Sequence, residues 1–177
     1  MQCPPPSAET GERERLAVLD AYAVLDTPPE PGFDAIVQLA RAVCAAPVAL
    51  VSLVAEGRQW FKARSGFVDC GTELDASVCR HVLGRSDMLV IPDLTCDGRT
   101  RTNPLVTGAP HIRFYAGAPL VTPDGHGLGT LCVIDTKPRP EGLTEEQREC
   151  LQVLAGLVMA HLDMRKALVA KELPLGL

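Results

Sequence analysis

Phe114-Tyr115-Ala116-Gly117-Ala118-Pro119-Leu120-Val121, Thr122-Pro123-Asp124-Gly125-His126 and Gly127-Leu128-Gly129-Thr130-Leu131-Cys132-Val133-Ile134-Asp135 form one continuous stretch, and its reading decides the fold. Two apolar runs flank a segment in which Pro, Asp and Gly each suit a tight turn, and this predicts a β-hairpin. By alternation, Leu128, Thr130, Cys132 and Ile134 share one face of the second run while Leu131 and Val133 share the other. Both faces of this strand are therefore expected to be covered.

Upstream of the hairpin, residues 95–113 have little periodicity and carry Gly98, Pro104, Gly108 and Pro110. A loop of that length inside a compact domain is usually functional. Before it, Met88 to Leu94 reads as a strand and Ser77 to Leu83 as a short helical stretch. Val48 to Val54 is a β-branched run led by Pro47 and is expected to be a central strand. Glu56-Gly57-Arg58 turns the chain into an outer strand, Gln59 to Arg64, on which Trp60 and Phe61 point to opposite faces. Two helices come first. Leu16, Leu19, Tyr22 and Ala23 place one apolar stripe on Glu12 to Leu25, and Phe33, Ile36, Val37, Leu39, Ala40 and Val43 mark a second helix from Phe33 to Ala45. Prolines 28, 29 and 31 separate them. Downstream, Thr144 and Gln147 have the spacing of a capping box. The helix it opens has Leu151, Leu154, Leu157, Val158, Leu162 and Met164 as its apolar face. Leu168 and Val169 continue the pattern, so this helix is expected to project from the domain and meet a second copy.

The chain has 177 residues, 46% hydrophobic and 22% charged, which suits one globular domain. Residues 1–11, with three prolines in a row, are expected to be an unanchored tail, residues 12–168 the domain, and residues 169–177 a tail or helix extension. A net charge of −5 argues against nucleic acid or an anionic membrane as partner. No apolar run approaches the ~20 residues that span a bilayer, and the N-terminus lacks a signal-peptide pattern, so a cytoplasmic protein is expected. Seven cysteines without a Cys-x-x-Cys pair read as free thiols, and no metal site is expected.

The element order predicts an α/β (α+β) fold with a largely antiparallel sheet and helices gathered on one face. Certain segments carry a more specific likeness: Ala23 to Glu30, Phe33-Asp34, Arg58 to Lys62, Ser77 to His81, Asn103 to Val106, Ile112 to Leu120 and Leu128 to Asp135. Together they resemble the GAF domains found at the front of bacterial sensor histidine kinases and diguanylate cyclases, over residues 13–168. The resemblance implies a GAF/PAS-like central sheet of about five or six strands, terminal helices packed behind it and a ligand pocket in front. It also implies a homodimer formed through the terminal helices. Val78, where an aromatic is usual, and Arg99-Thr100, in place of Arg-Phe, depart from the family pattern near that pocket. Residues 169–177 are too few for an output domain, so a histidine kinase or cyclase partner is expected on another chain or beyond this fragment.

The expected ligand-binding residues are Trp60, Phe61, Ser77, Cys79, His81, Asp93, Arg113, Phe114, Tyr115, Thr130 and Cys132, under a roof formed by residues 77–115. The ligand itself is left open. Arg113 suits a carboxylate or phosphate, because its planar fork donates two parallel hydrogen bonds; alternatively it braces the loop through Asp93 or Asp135. Cys79 and His81 invite a nucleophile-and-base reading, but positions two apart on a helix point away from each other. A covalent bilin is disfavoured, since related photoreceptors attach it through a cysteine followed directly by histidine and Arg80 intervenes here. The reading is of a sensory, regulatory domain with no catalytic residues. Two alternatives remain: a thiol enzyme similar to free methionine sulfoxide reductase, with Cys79 as nucleophile and Cys70 or Cys96 resolving it, or a pure interaction module.

Overall fold

The computed structural model describes residues 8–172. Of the tail expected at residues 1–11 and the tail or extension expected at residues 169–177, residues 1–7 and 173–177 lie outside them. Helix α1 (Ala8–Ala21) starts earlier than the predicted Glu12, and it ends before Ala23 and Asp26, both of which take positive φ. Helix α2 (Pro31–Val43) opens on a proline at its first turn, where no N–H is needed. It stops at Cys44, and Ala45 turns the chain through a left-handed conformation.

Six strands follow: β1 (Val48–Val54), β2 (Arg58–Ser65), β3 (Gly71–Glu73), β4 (Leu89–Ile91), β5 (Phe114–Val121) and β6 (Gly127–Asp135). They form one antiparallel sheet in the order β3-β2-β1-β6-β5-β4. The predicted hairpin is β5–β6, and β1 sits beside β6 at the centre. The predicted helix at Ser77–Leu83 shrinks to a single 3₁₀ turn, Cys79–His81, and the predicted strand at Met88–Leu94 to β4. Residues 104–107 of the long loop form a short helix, α3 (Pro104–Thr107), capped by the Asn103 side chain, which accepts from Leu105 N at 2.8 Å.

Helices α1, α2 and the last helix, α4 (Glu145–Glu172), cover one face of the sheet. Leu19, Phe33, Val37, Leu53, Leu131, Val133, Leu151, Val158 and Leu162 fill the core between these layers. The capping box is present: Thr144 N donates to Gln147 Oε1 at 3.1 Å and Gln147 N donates to Thr144 Oγ1 at 3.2 Å. The apolar face predicted for α4 divides in two. Leu151, Leu154, Ala155, Val158 and Leu162 are buried against the sheet, whereas Leu157 and Met164 belong to a second, exposed stripe.

The segments between β2 and β5 roof the other face and enclose a second core of Leu50, Val54, Phe61, Val82, Ile91, Leu94, Val106 and Tyr115. Two bulges change which way side chains point. The β1–β2 register passes from Val51 opposite Ala63 to Ser52 opposite Phe61, which leaves Lys62 as the extra residue. Lys62 Nζ turns toward the α1–α2 connection, donating to Thr27 Oγ1 at 2.9 Å, Pro28 O at 2.8 Å and Glu30 Oε1 at 2.5 Å. In β5–β6, Leu120 pairs with Gly129 and Val121 with Gly127, so Leu128 is skipped. Leu128 therefore joins the helix-side core, away from the face it would share with Thr130 and Cys132 by simple alternation.

Candidate functional site

On the roof side, successive pairs on β1 and β6 set the order of the floor: Val48 with Ile134, Leu50 with Cys132, Ser52 with Thr130. On the other flank of β6, Tyr115 lies opposite Ile134 and Gly117 opposite Cys132. The Tyr115 ring lies across Gly117, because a Cβ there would collide with the phenol oxygen and ring carbons. A residue without a side chain thus gives the phenol room to run along the strand. Tyr115 Oη donates to Cys79 Sγ at 3.3 Å and to Thr130 Oγ1 at 3.5 Å, and Cys79 Sγ lies 3.8 Å from Cys132 Sγ. Cys79 is 2% exposed, and Tyr115, Thr130 and Cys132 are 0% exposed. Ser52 Oγ, on the same face, is buried without a hydrogen-bond partner among the described residues. A polar cluster thus lies inside an apolar core.

Burial pushes the Cys79 thiol up, but hydrogen bonds from Cys132, Thr130 and Tyr115 outweigh it and bring Cys79 below the ordinary thiol value. Cys132 is pushed up by the Cys79 sulfur beside it and by its own burial. The Tyr115 phenol is raised by burial and by the neighbouring sulfurs.

Short ties hold the roof down. Ser77 Oγ donates to Gln59 Oε1 on β2 and accepts from Arg80 N at 3.2 Å. Asn103 Nδ2 donates to Ala76 O at 3.0 Å, joining the two halves of the roof, and buried Thr100 Oγ1 donates to Leu94 O at 2.7 Å. The Arg113 side chain donates to the Val106 and Ile112 carbonyls at 2.9 Å each, where the sequence offered Asp93 or Asp135 as its tie. Asp93 caps its own turn, accepting from Thr95 N at 2.9 Å and Thr95 Oγ1 at 2.6 Å. His81 is half-buried, and burial followed by the positive charge of Arg80 and Arg99 lowers its pKa.

Of the expected ligand-binding residues, Ser77, Cys79, Tyr115, Thr130, Cys132 and Phe61 gather on the roof side. Trp60 and Phe114 do not. Both face the helical layer, because strand alternation turns them away from Phe61 and Tyr115. The space expected around Cys79 is taken up by the Tyr115 ring and the roof side chains. The roof side does hold a cleft of about 220 Å³, at the start of β1 and the end of β6, lined mainly by Val48, Phe67, Pro110, Ile112, Ile134 and Asp135. None of the residues expected to bind ligand lines it. Sequence reasoning missed it because Phe67 and Pro110 are distant in the chain and sit in segments without periodicity. Arg139 was missed as well. It ties Asp135 Oδ2 at 2.7 Å to the Cys44 and Ala45 carbonyls at 2.7 and 2.8 Å, closing the same end of the sheet.

Among the described residues no group of three or more His, Cys, Asp or Glu side chains could hold a metal ion, and no helix is long and apolar enough to cross a membrane. Cys79 has Cys132 as its neighbour, while Cys70 and Cys96, the resolving thiols of the enzyme alternative, are exposed at the surface.

The pattern of the GAF domain matches residues 28–162. The chain belongs to the GAF domain family. It is a domain of the sensory and regulatory type, with the six-stranded antiparallel sheet and flanking helices of that family. It is 38% identical over 173 residues to the cyclic di-GMP phosphodiesterase PA2567 of Pseudomonas aeruginosa, an alignment that takes in 98% of this chain and 29% of that protein. The chain therefore spans under a third of that relative's length. Among solved structures, the GAF domain of a phosphoenolpyruvate-protein phosphotransferase from Coxiella burnetii superposes with a TM-score of 0.66 at 16% identity, covering 93% of this chain and 99% of that one. Free methionine-R-sulfoxide reductase from Neisseria meningitidis gives 0.61 at 13% identity, covering 95% of this chain and 97% of that one. At such identities the likeness concerns the fold.

Proposed function

We propose that this GAF domain is a cytoplasmic input unit of a bacterial signalling protein. It takes a small ligand on the roof side of the sheet and passes occupancy through its terminal helices to an output unit that handles cyclic di-GMP. The 38%-identical relative, named as a phosphodiesterase of that dinucleotide, favours such an output over a histidine kinase. The cleft beside Phe67 and Ile134 is the proposed point of ligand entry, with the buried polar cluster one strand pair further in.

The observation that carries the reading is the double nature of α4. One stripe of this helix is part of the core. The other, Val153, Leu157, Met164 and Leu168, is between 47% and 66% exposed and recurs at the spacing of a helix pair. A second copy of the chain is the proposed occupant of that stripe, and a shift in α4 is then felt across both copies. Tyr22, directly after α1, donates its Oη proton to Asp163 at 2.8 Å and so ties the end of α1 to α4.

Leu157→Glu is expected to convert the protein from dimer to monomer in light scattering while changing the unfolding free energy of the monomer, measured at dilutions where both chains are monomeric, by less than about 0.5 kcal/mol, since the site is exposed in a single copy. A dimer that persists in this variant removes the proposed output route. For the ligand, a thermal-shift screen of nucleotides and small metabolites is expected to find a compound that raises Tm, by about 2.7 kcal/mol of stabilisation at one hundred times its Kd. Loss of that shift in Ile134→Asp places the compound in the cleft; an unchanged shift puts it elsewhere.

A further inference from the structure

We propose that Cys79 and Cys132 are a redox site: on meeting a hydroperoxide they form a reversible disulfide that clamps the roof onto the sheet. The two sulfurs are already 3.8 Å apart on facing elements, one on a 3₁₀ turn and one on the central strand β6. A disulfide needs them at about 2.05 Å. The roof is the element able to move, because Cys79 sits in a single turn closed by His81 N to Val78 O at 3.1 Å and Val82 N to Cys79 O at 3.0 Å. Strand β6, by contrast, is hydrogen-bonded on both edges.

Both thiols are buried, Cys79 2% and Cys132 0% exposed, so a small oxidant reaches them as the 3₁₀ turn lifts from the sheet. Cys132 lies two residues along the same face from Ile134, which lines the roof-side cleft. The cleft ends at Ile134, one strand pair short of Cys132, and lifting the turn is the step that joins the two. The Tyr115 phenol, which donates to Cys79 Sγ, is the hydrogen-bond donor beside the attacking sulfur.

The chemistry balances with the peroxide as oxidant. The Cys79 sulfur, having given up its proton, attacks the O–O bond and keeps one oxygen as a sulfenic acid. The other oxygen leaves with that proton as an alcohol or, from hydrogen peroxide, as water. The Cys132 sulfur then attacks the sulfenic sulfur, the S–S bond forms, and the displaced hydroxide leaves as water with the Cys132 proton. Two thiols are oxidised by two electrons and one peroxide is reduced. Closing the bond draws the 3₁₀ turn toward β6, and through Asn103 and the Ala76 carbonyl the pull reaches α3.

The test uses the folded chain with exposed Cys70, Cys96 and Cys150 replaced by serine and hydrogen peroxide as the probe. Peptide mass spectrometry without reductant is expected to find the Cys79 and Cys132 peptides linked, two hydrogens lighter than their sum, at least tenfold above the untreated sample. Dithiothreitol should reverse this. In Cys132→Ser the sulfenic acid on Cys79 should persist and be trapped by dimedone. Unmodified Cys79 under peroxide concentrations that fully oxidise a free thiol peptide, or a link that forms only in urea, overturns the proposal. Both measurements on the Cys79–Cys132 pair are made on the folded protein, checked by circular dichroism, and the unsubstituted chain is run in parallel in case a variant fails to fold.

Discussion

Gly129→Ala is expected to lower unfolding free energy by about 3 kcal/mol or more, on the order of 10 °C in Tm for a domain of this size. Gly129 lies on β6 opposite Leu53 and Leu120, between the two central ladders. A Cβ there would overlap the Ser52 carbonyl oxygen and crowd the Leu53 Cα. Those are backbone atoms of β1, and no side-chain rotation moves them aside. Relief requires β1 and β6 to part, which breaks hydrogen bonds in the middle of the sheet and opens both cores. Urea unfolding followed by circular dichroism measures the effect. A midpoint within the range of surface substitutions would mean that the β1–β6 register is different from the one described.

Glu30→Ala is expected to cost about 2–3 kcal/mol, below the ~3–5 kcal/mol typical of breaking a fully buried pair because Glu30 is itself partly exposed. The Lys62 side chain is 0% exposed, so its ammonium relies on Glu30 for countercharge. Removal leaves Nζ with Thr27 and Pro28 alone and leaves Arg165, which binds the same carboxylate at 3.0 Å, with only the Tyr22 and Ala23 carbonyls. One carboxylate therefore joins the β2 bulge to α4, and the substitution should loosen the C-terminal half of that helix in hydrogen exchange. The pH dependence follows. Burial pushes the Glu30 carboxyl up, but the hydrogen bonds from Lys62 and Arg165 outweigh it and hold the group below the ordinary carboxylate value. A depressed folded pKa contributes stability above the unfolded value, and that contribution is lost as pH falls through the folded one. The wild type should lose stability below about pH 4.5 more steeply than Glu30→Gln; parallel curves would show that the carboxylate is not coupled to folding.

The strongest local signals survived folding. The Pro-Asp-Gly turn, the β-branched run at Val48 to Val54 and the Thr144 capping box were legible because each depends on neighbours in the chain. What failed did so where distant residues decide. Leu128 obeyed alternation only until a bulge skipped it, and Leu157 and Met164 had the right hydrophobicity for the core but the wrong angular position on α4. Of the expected site residues, Ser77, Cys79, Tyr115, Thr130 and Cys132 came together on the roof side, while Trp60 and Phe114, chosen from the same stretches, turned to the helical layer.

Periodicity and turn chemistry alone determined the antiparallel α/β sheet, its central hairpin and the helices at both ends, because a strand or helix records its own buried face every second or every third to fourth residue. Which thiol faces which, where the cleft opens and why Lys62 can be buried were decided only in three dimensions. These depend on Gly117 leaving room for a phenol, on a bulge turning one ammonium toward one carboxylate, and on loop residues far apart in the chain meeting over the same strand. Such contacts leave no period in the sequence.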